Sequence, residues 1–377
     1  MSNNKKECNG CGICAIKCPK KCIEMIENKE GFLYPRTNKK ECINCKICEK
    51  ECPANNIVKY EEKQTAYALQ LKEEEMLLNC ASGGAFYSIA TEVINNGGAV
   101  CGVSEYNNQQ SRFEIITTME KLREIVGSKY YQCNLTPEIL ERLNKELEKR
   151  QVLFGGTPCQ VAAVKKIIKK DRINNLITMD IICQGVPSYK CINRYRIYKE
   201  KKENKTIKTH YFRCKDKYVG KNYLSKYIFD DETTNYYIGE EDFISCAFQR
   251  QIFLRESCYS CKFATNNRVG DITMGDLWKL PKLESKKFKL EKGISIVVCN
   301  TNKGKKMIEN CNIINKEEID LYDNTKDNIP FYRPVKRPVS RNISYNLLYS
   351  KVGPKWTLYI CCPKYAVKKM LNKFRGR

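Results

Sequence analysis

The chain has 377 residues, 42% of them hydrophobic and 29% charged, which is the composition of an ordinary globular protein with room for two or three cores. No run approaches the ~20 apolar residues of a membrane helix, and the first eight residues lack the apolar core of a signal peptide, so a cytoplasmic protein is expected. The formal charge of +24 raises nucleic acid as a partner. No nucleic-acid motif accompanies it and the basic residues are spread along the chain, so the field reads as an attraction for anionic cofactors and an acidic redox partner.

Of the 23 cysteines, nine fall in the first 52 residues, and eight of those form two copies of one spacing. Cys8-x-x-Cys11-x-x-Cys14-x-x-x-Cys18-Pro19 recurs as Cys42-x-x-Cys45-x-x-Cys48-x-x-x-Cys52-Pro53. Three thiolates at a spacing of three wrap one 4Fe-4S cubane, and the proline-linked fourth reaches the cluster of the other repeat. The expected ligand sets are Cys8, Cys11, Cys14 and Cys52 for the first cluster, and Cys42, Cys45, Cys48 and Cys18 for the second. Paired zinc ribbons would need four ligands per site at another spacing. A secreted disulfide framework is disfavoured by this spacing, the chain length and the missing signal core, which point to a reducing compartment. The motif predicts an electron carrier.

Residues 1–58 are predicted to form an α+β ferredoxin-like dicluster domain, two pseudo-repeats of strand, cysteine loop and helix that turn back at Gly31-Phe-Leu-Tyr-Pro35. Residues 59–78 are polar and read as a linker ending in a helical turn. From Cys80 strands and helices alternate. Strands are expected over 99–104, 113–118, 151–154, 175–183, 206–213, 223–229, 271–275 and 294–300. Helices are expected over 86–94, 119–125, 137–149, 158–169, 189–201 and 241–255. This alternation predicts an α/β domain with a mixed sheet, divided into 79–155 and 156–329. A basic C-terminal tail, 330–377, carries five prolines and is expected to end in a helix.

No G-x-G-x-x-G occurs, so a dinucleotide site of the common type is unsupported. Two other segments are candidate phosphate cradles. In Ala81-Ser-Gly-Gly-Ala-Phe86, Ser82 could cap a helix while Gly83 and Gly84 leave N–H groups open to an anion; a simple capped helix fits equally well. In Phe154-Gly-Gly-Thr-Pro-Cys-Gln160, Thr157, Pro158 and Gln160 make a capping box that puts Cys159 in the first turn of a helix. The helix dipole there favours a thiolate, as metal ligand or nucleophile; a buried helix-start cysteine is the plainer alternative. Cys183 ends the following strand, and Cys258-x-x-Cys261 follows later. Cys159, Cys183, Cys258 and Cys261 would complete a third 4Fe-4S site, although zinc or a redox-active disulfide would use the same C-x-x-C. His210 is the sole histidine and no nucleophile motif accompanies it, so no catalytic residue is singled out.

These segments, in this order behind a dicluster module, resemble the coenzyme F420 hydrogenase/dehydrogenase beta-subunit family. The matching stretches are 81–86, Gly127-Ser-Lys-Tyr130, Gly155-Gly-Thr-Pro-Cys-Gln160, Cys183-Gln-Gly-Val-Pro-Ser188, Phe212-Arg-x-Lys215, Ser257-Cys-Tyr-x-Cys261 and Asp271-Ile-Thr-Met-Gly-Asp-Leu-Trp278, covering roughly residues 1–300. The resemblance implies FAD, a cluster on Cys159, Cys183, Cys258 and Cys261, and hydride exchange with the deazaflavin coenzyme F420. It places Ser82, Gly83, Gly84, Gly127, Ser128, Lys129 and Thr157 around the flavin, with Asp276 and Trp278 in the same crevice wall. Two departures, Lys279 where the family commonly has glycine and a stretch after Arg213 without the usual Gly-Trp pair, bear on the second substrate.

The expected function is an iron–sulfur flavoprotein oxidoreductase passing electrons between a reduced carrier, coenzyme F420 or ferredoxin, and a second acceptor. The alternatives are a ferredoxin-dependent reductase of a small sugar- or lipid-related substrate, and a non-catalytic electron-transfer subunit docked on a redox partner.

Overall fold

The computed structural model describes residues 6–57, 60, 62–105, 110–215, 224–278, 287–361, 366–367 and 371. In the N-terminal module each cysteine loop runs into a single helical turn, Ile13–Ile16 or Ile47–Lys50. Both turns are entered through a left-handed residue, Gly12 (φ 77°) and Lys46 (φ 57°). That reversal coils the loop, which is how thiols three residues apart come to face inward. Strands β1 (Ile23–Glu27) and β2 (Leu33–Thr37) pair antiparallel between the two loops.

The remaining strands are β3 (Thr65–Leu71), β4 (Ala99–Ser104), β5 (Arg112–Ile116), β6 (Val152–Gly156), β7 (Leu176–Ile181), β8 (Ile207–Cys214), β9 (Leu224–Phe229), β10 (Thr234–Ile238), β11 (Ile272–Asp276), β12 (Ser295–Cys299) and β13 (Ile314–Ile319). Eight of them form one mixed sheet in the order β13-β3-β12-β11-β7-β6-β4-β5. Its centre, β4, β6, β7 and β11, is parallel, with antiparallel strands added on both sides. Strands buried on both faces have near-continuous apolar sequences, as β6 and β12 do (Val152-Leu-Phe154, Ile296-Val-Val298). The mixed α/β domain predicted from the alternation is thus present.

Three expectations change. The polar stretch expected to be a linker contains β3, which lies inside the sheet between β12 and β13. Its continuous burial is disguised by Gln70, a buried amide whose Nε2 donates to the Lys289 and Gly293 carbonyls while its Oε1 accepts from Lys289 N. A fully satisfied buried amide costs little, so a polar letter can sit in a core strand. Strands β8, β9 and β10 form a separate three-stranded antiparallel sheet instead of joining the main one. The helix expected over 241–255 spans only Phe243–Gln249 and stops before Gln251, which takes a left-handed φ of 59°.

The tail folds back as helices Ile329–Tyr332, Arg341–Tyr349 and Gly353–Cys361. Phe331, Tyr345 and Leu348 are buried, and Arg341 pairs with Glu30 of the N-terminal module at 2.9 Å. Most of the basic run Lys364–Arg377 and the two family departures, Lys279 and most of the stretch after Arg213, fall outside the described residues. No helix among the described residues is long and apolar enough to cross a membrane.

A buried ion pair fixes the part of the sheet that carries the later cysteines. Arg268 and Asp180, both fully inaccessible, meet at 2.8 Å. Arg268 also donates to the Ile181 and Phe263 carbonyls, and Asp180 accepts from Gly270 N. The segment holding Cys258 and Cys261 is thereby tied to the end of β7, just before Cys183. Replacing Arg268 with Met leaves Asp180 buried without its cation, so we expect a loss of about 3–5 kcal/mol. A thermal midpoint measured anaerobically that matched wild type would show that the pair is not needed.

Candidate functional site

The N-terminal cysteines gather as two groups. Cys14 lies beside Cys8, Cys52 and Cys48, and Cys11 lies beside Cys14 and Cys52. Cys18, Cys42 and Cys48 pack around a second buried spot together with Cys22, and Cys14 borders this spot as well. Cys45, on the same loop, is exposed at the surface. Burial dominates the protonation of the inner thiols: it pushes Cys14 up to about 12 and Cys11 higher still.

The four cysteines of the large domain, far apart in sequence, come together. Thr157 caps the helix Pro158–Ile167, and Gln160 Oε1 reaches back to accept the Thr157 N–H at 2.9 Å. This sets Cys159 in the first turn, with its Sγ 3.2 Å from the Thr157 hydroxyl. Cys183 sits just past β7, beside Cys258, Cys159 and Cys261. Gly185, at φ 125°, lets this loop lie against Cys258; a Cβ there would stand 3.0 Å from the Cys258 Cβ. The helix start does not make Cys159 a thiolate by itself. Burial outweighs the dipole and raises its pKa to about 11, with neighbouring Cys261 adding to the rise and Thr157 and Arg255 opposing it.

Such a set suits a thiolate cluster. Burial and mutual repulsion keep Cys159 and Cys258 protonated, Cys258 at about 12, and coordinated iron would supply the positive charge that the site lacks.

The first and third cysteine groups share one core. Cys11, Cys52, Cys159 and Cys261 all pack against the same apolar cluster, which includes Ile13, Ala54 and Phe263. Arg255, buried to 1% exposure, joins the two modules. It donates to Cys8 O (2.8 Å), Leu33 O (2.7 Å) and Gln132 Oε1 (3.1 Å), and its guanidinium lies 4.3 Å from the Tyr34 ring centre. Gly10 must lack a side chain because a Cβ would lie 2.7 Å from the Arg255 Nη1. No motif in the sequence points to Arg255; only its place three residues before Cys258 hints at a role.

The residues expected around a flavin are placed unevenly. The Ser82 hydroxyl donates to Ile294 O (3.0 Å) instead of capping the next helix, whose N-cap is Gly84. Gly83 N–H is not open to an anion; it donates to Ser295 Oγ at 2.9 Å. Gly83 is required by packing, since a Cβ would come within 2.2 Å of the Leu69 carbonyl. Lys215 Nζ donates to the Ser82 and Leu77 carbonyls. Asp276 holds Arg213 through two contacts of 2.9 and 2.7 Å, and Arg213 in turn meets Tyr130, which also bonds to Ser128. Ser128 and Asp276 are thus linked through Arg213 and Tyr130, while Lys215, two residues after Arg213, holds the Ser82 carbonyl. Gly127 takes a left-handed φ of 85°. Lys129 donates to Val126 O, and burial lowers its pKa to about 8 against the pull of Glu105. Thr157 spends its hydrogen bonds on Gln160 and Cys159. Trp278 is half-exposed.

The architecture is that of an iron–sulfur module docked on an α/β domain with its own buried thiol set. Residues 7–66 match the 4Fe-4S dicluster domain, and residues 149–325 match the C terminus of the coenzyme F420 hydrogenase/dehydrogenase beta subunit. The chain is an iron–sulfur electron-transfer protein related to that beta subunit. Among solved structures it is similar to the F420-reducing [NiFe] hydrogenase complex from Methanosarcina barkeri, with 16% identity and a TM-score of 0.48 over 72% of this chain and 89% of that one. No curated protein matches.

If the large-domain thiols hold a cluster, Cys159→Ala and Cys183→Ala should each lower bound iron by roughly a third in reconstituted protein, one cubane of three. Full iron content in either variant would remove that residue from the ligand set.

Proposed function

We propose that the chain is an iron–sulfur flavoenzyme that takes electrons from a reduced carrier, coenzyme F420 or ferredoxin, and passes them through FAD and three 4Fe-4S clusters to a second acceptor. The observation that carries this reading is the shared core of Cys11, Cys52, Cys159 and Cys261. Clusters on those residues would adjoin one another, and the exposed Cys45 would bring the second N-terminal cluster to the surface. The order outward is then Cys159–Cys261 group, Cys8–Cys52 group, Cys18–Cys48 group.

FAD accepts a hydride as a pair of electrons and releases them singly, which is the conversion needed between a hydride carrier and one-electron clusters. Arg213, Lys215 and Lys129 lie among or beside the expected flavin residues, and their charge would suit the pyrophosphate of a dinucleotide. Asp276 orients Arg213 through its two contacts, and Tyr130 is fixed beside it by face-to-face stacking on Phe248 at 4.3 Å. With Arg255 beside the thiols of both inner groups, added negative charge on either cluster is partly compensated.

A second reading has a specific observation in its favour. Ser82 and Gly83 already spend their hydrogen-bonding groups inside the protein, so the chain could be an electron-transfer subunit without a flavin of its own. A ferredoxin-dependent reductase of a small organic molecule shares the cluster path, excludes the deazaflavin as donor and has that molecule as its acceptor.

Flavin content decides first, and donor specificity second. Protein reconstituted anaerobically with iron, sulfide and FAD should retain flavin through gel filtration and bleach rapidly with reduced coenzyme F420. Clusters without flavin would establish the electron-transfer subunit. Bound flavin that is bleached by reduced ferredoxin and not by the deazaflavin would establish the reductase.

A further inference from the structure

From Lys351 to Arg377 the sequence carries eight lysines and arginines and no aspartate or glutamate, so the charge is not balanced within the segment. The same segment exposes apolar side chains. Trp356, Ile360, Val367 and Leu371 are helical residues, each half-exposed or more. Their spacing of four, seven and four residues is that of one stripe along a helix. Ile343, on the neighbouring helix Arg341–Tyr349, is exposed to a similar degree.

The helix Gly353–Cys361 is already seated on the protein by another face. It packs against the helices Arg341–Tyr349, Tyr189–Glu203 and Phe243–Gln249, with Thr357 fully buried and its hydroxyl donating to Gly353 O at 2.7 Å. A surface helix of a globular protein turns its one apolar stripe to the core and polar residues to water. Here the outward stripe is apolar as well. Lys351 and Lys355 beside it are exposed, and Lys355 Nζ lies 4.9 Å from the Trp356 ring centre. The Tyr359 ring stands 5.7 Å from the indole. An indole with a phenol and an ammonium group next to it is the set that settles at the headgroup level of a bilayer.

Other anionic partners fit less well. Nucleic acid would be met by the cations alone and gives no role to an aliphatic stripe. An acidic protein groove takes a helix by enclosing it, and this helix already spends part of its circumference on its own chain. A flat medium covers what is left. No helix among the described residues is long and apolar enough to cross a membrane, so the contact is with the surface alone.

We propose that this face docks on anionic phospholipid. Trp356, Ile360, Val367 and Leu371 enter the boundary between headgroups and acyl chains, and Lys351 and Lys355, with the cations that follow them in sequence, pair with lipid phosphates. None of this depends on the cluster or flavin assignment.

The test is anaerobic co-sedimentation of reconstituted full-length protein with vesicles. The protein should sediment with vesicles of phosphatidylglycerol and phosphatidylcholine in equal parts, and stay in solution with phosphatidylcholine alone. Trp356→Ser/Ile360→Ser should bind the anionic vesicles at least about tenfold more weakly. Each cation near an anionic surface contributes about fivefold, so Lys351→Gln/Lys355→Gln should weaken binding roughly 25-fold. Iron content and gel-filtration volume equal to wild type report that both variants are folded. Wild-type protein that does not sediment with the anionic vesicles overturns the proposal. So does unchanged binding by the Trp356/Ile360 variant, which is the behaviour of any basic protein. Mixed-sequence duplex DNA that binds wild type and loses affinity for the same apolar variant would assign the face to nucleic acid instead.

Discussion

One buried guanidinium sets the relation between the two halves of this protein. Arg255 is contributed by the large domain, yet three of its contacts, to the Cys8 and Leu33 carbonyls and the Tyr34 ring, lie in the N-terminal module. A buried arginine is tolerated only when its donors are met, and here backbone carbonyls and Gln132 meet them. Those acceptors exist only when the module is docked, so the docked arrangement is the one that satisfies the charge. Arg341 repeats the logic on the other side, where it pairs with Glu30 and donates to the Leu254 carbonyl. The domains are held by two cations that each need both partners.

The parallel centre of the sheet does the corresponding work for the third thiol group. Parallel strands deliver their carboxyl ends to one edge, so the loops after β6 and β7 bring Cys159 and Cys183 together although 24 positions separate them. Cys258 and Cys261 come from a segment that precedes its strand, and ordinary topology would not take them to that edge. The Arg268–Asp180 pair and the Gly270–Asp180 hydrogen bond do so by fastening the approach to β11 against the end of β7. An ion pair with both partners inaccessible is weak evidence of stabilisation by itself, but as a device for register it has a clear purpose here.

Much of this was legible in the sequence because the informative signals were local. The duplicated cysteine spacing, the Thr157-Pro158 helix start and the apolar runs of β4, β6, β7 and β12 each depend on a few consecutive residues. What escaped depends on distant partners. Strand β3 is disguised by Gln70, whose acceptors come from residues near 290. The polar sequence of β13 suits an edge strand that pairs only with β3, and such a strand resembles a loop. Gly83 and Gly84 have the look of a phosphate cradle, but Gly83 is glycine because the strand backbones of Leu69 and Ser295 pass too close for a side chain. A glycine pair reports close approach of something, and sequence alone cannot say whether that is a ligand or the protein's own sheet.

The charge of the chain acquires a more specific meaning once the sites are placed. Some of its cations are internal and committed: Arg255 and Arg341 to the domain interface, Arg268 to Asp180, Arg213 to Asp276. Cubanes ligated by four thiolates would add negative charge close to several of them. Arg255 lies beside Cys8 and Cys159, where a reduced cluster would place electrons, whereas Arg341, Arg268 and Arg213 are balanced by Glu30, Asp180 and Asp276. A basic composition in an iron–sulfur protein is therefore poor grounds for inferring nucleic-acid binding. The arginines that matter most to this fold point inward, toward the carbonyls and carboxylates they face.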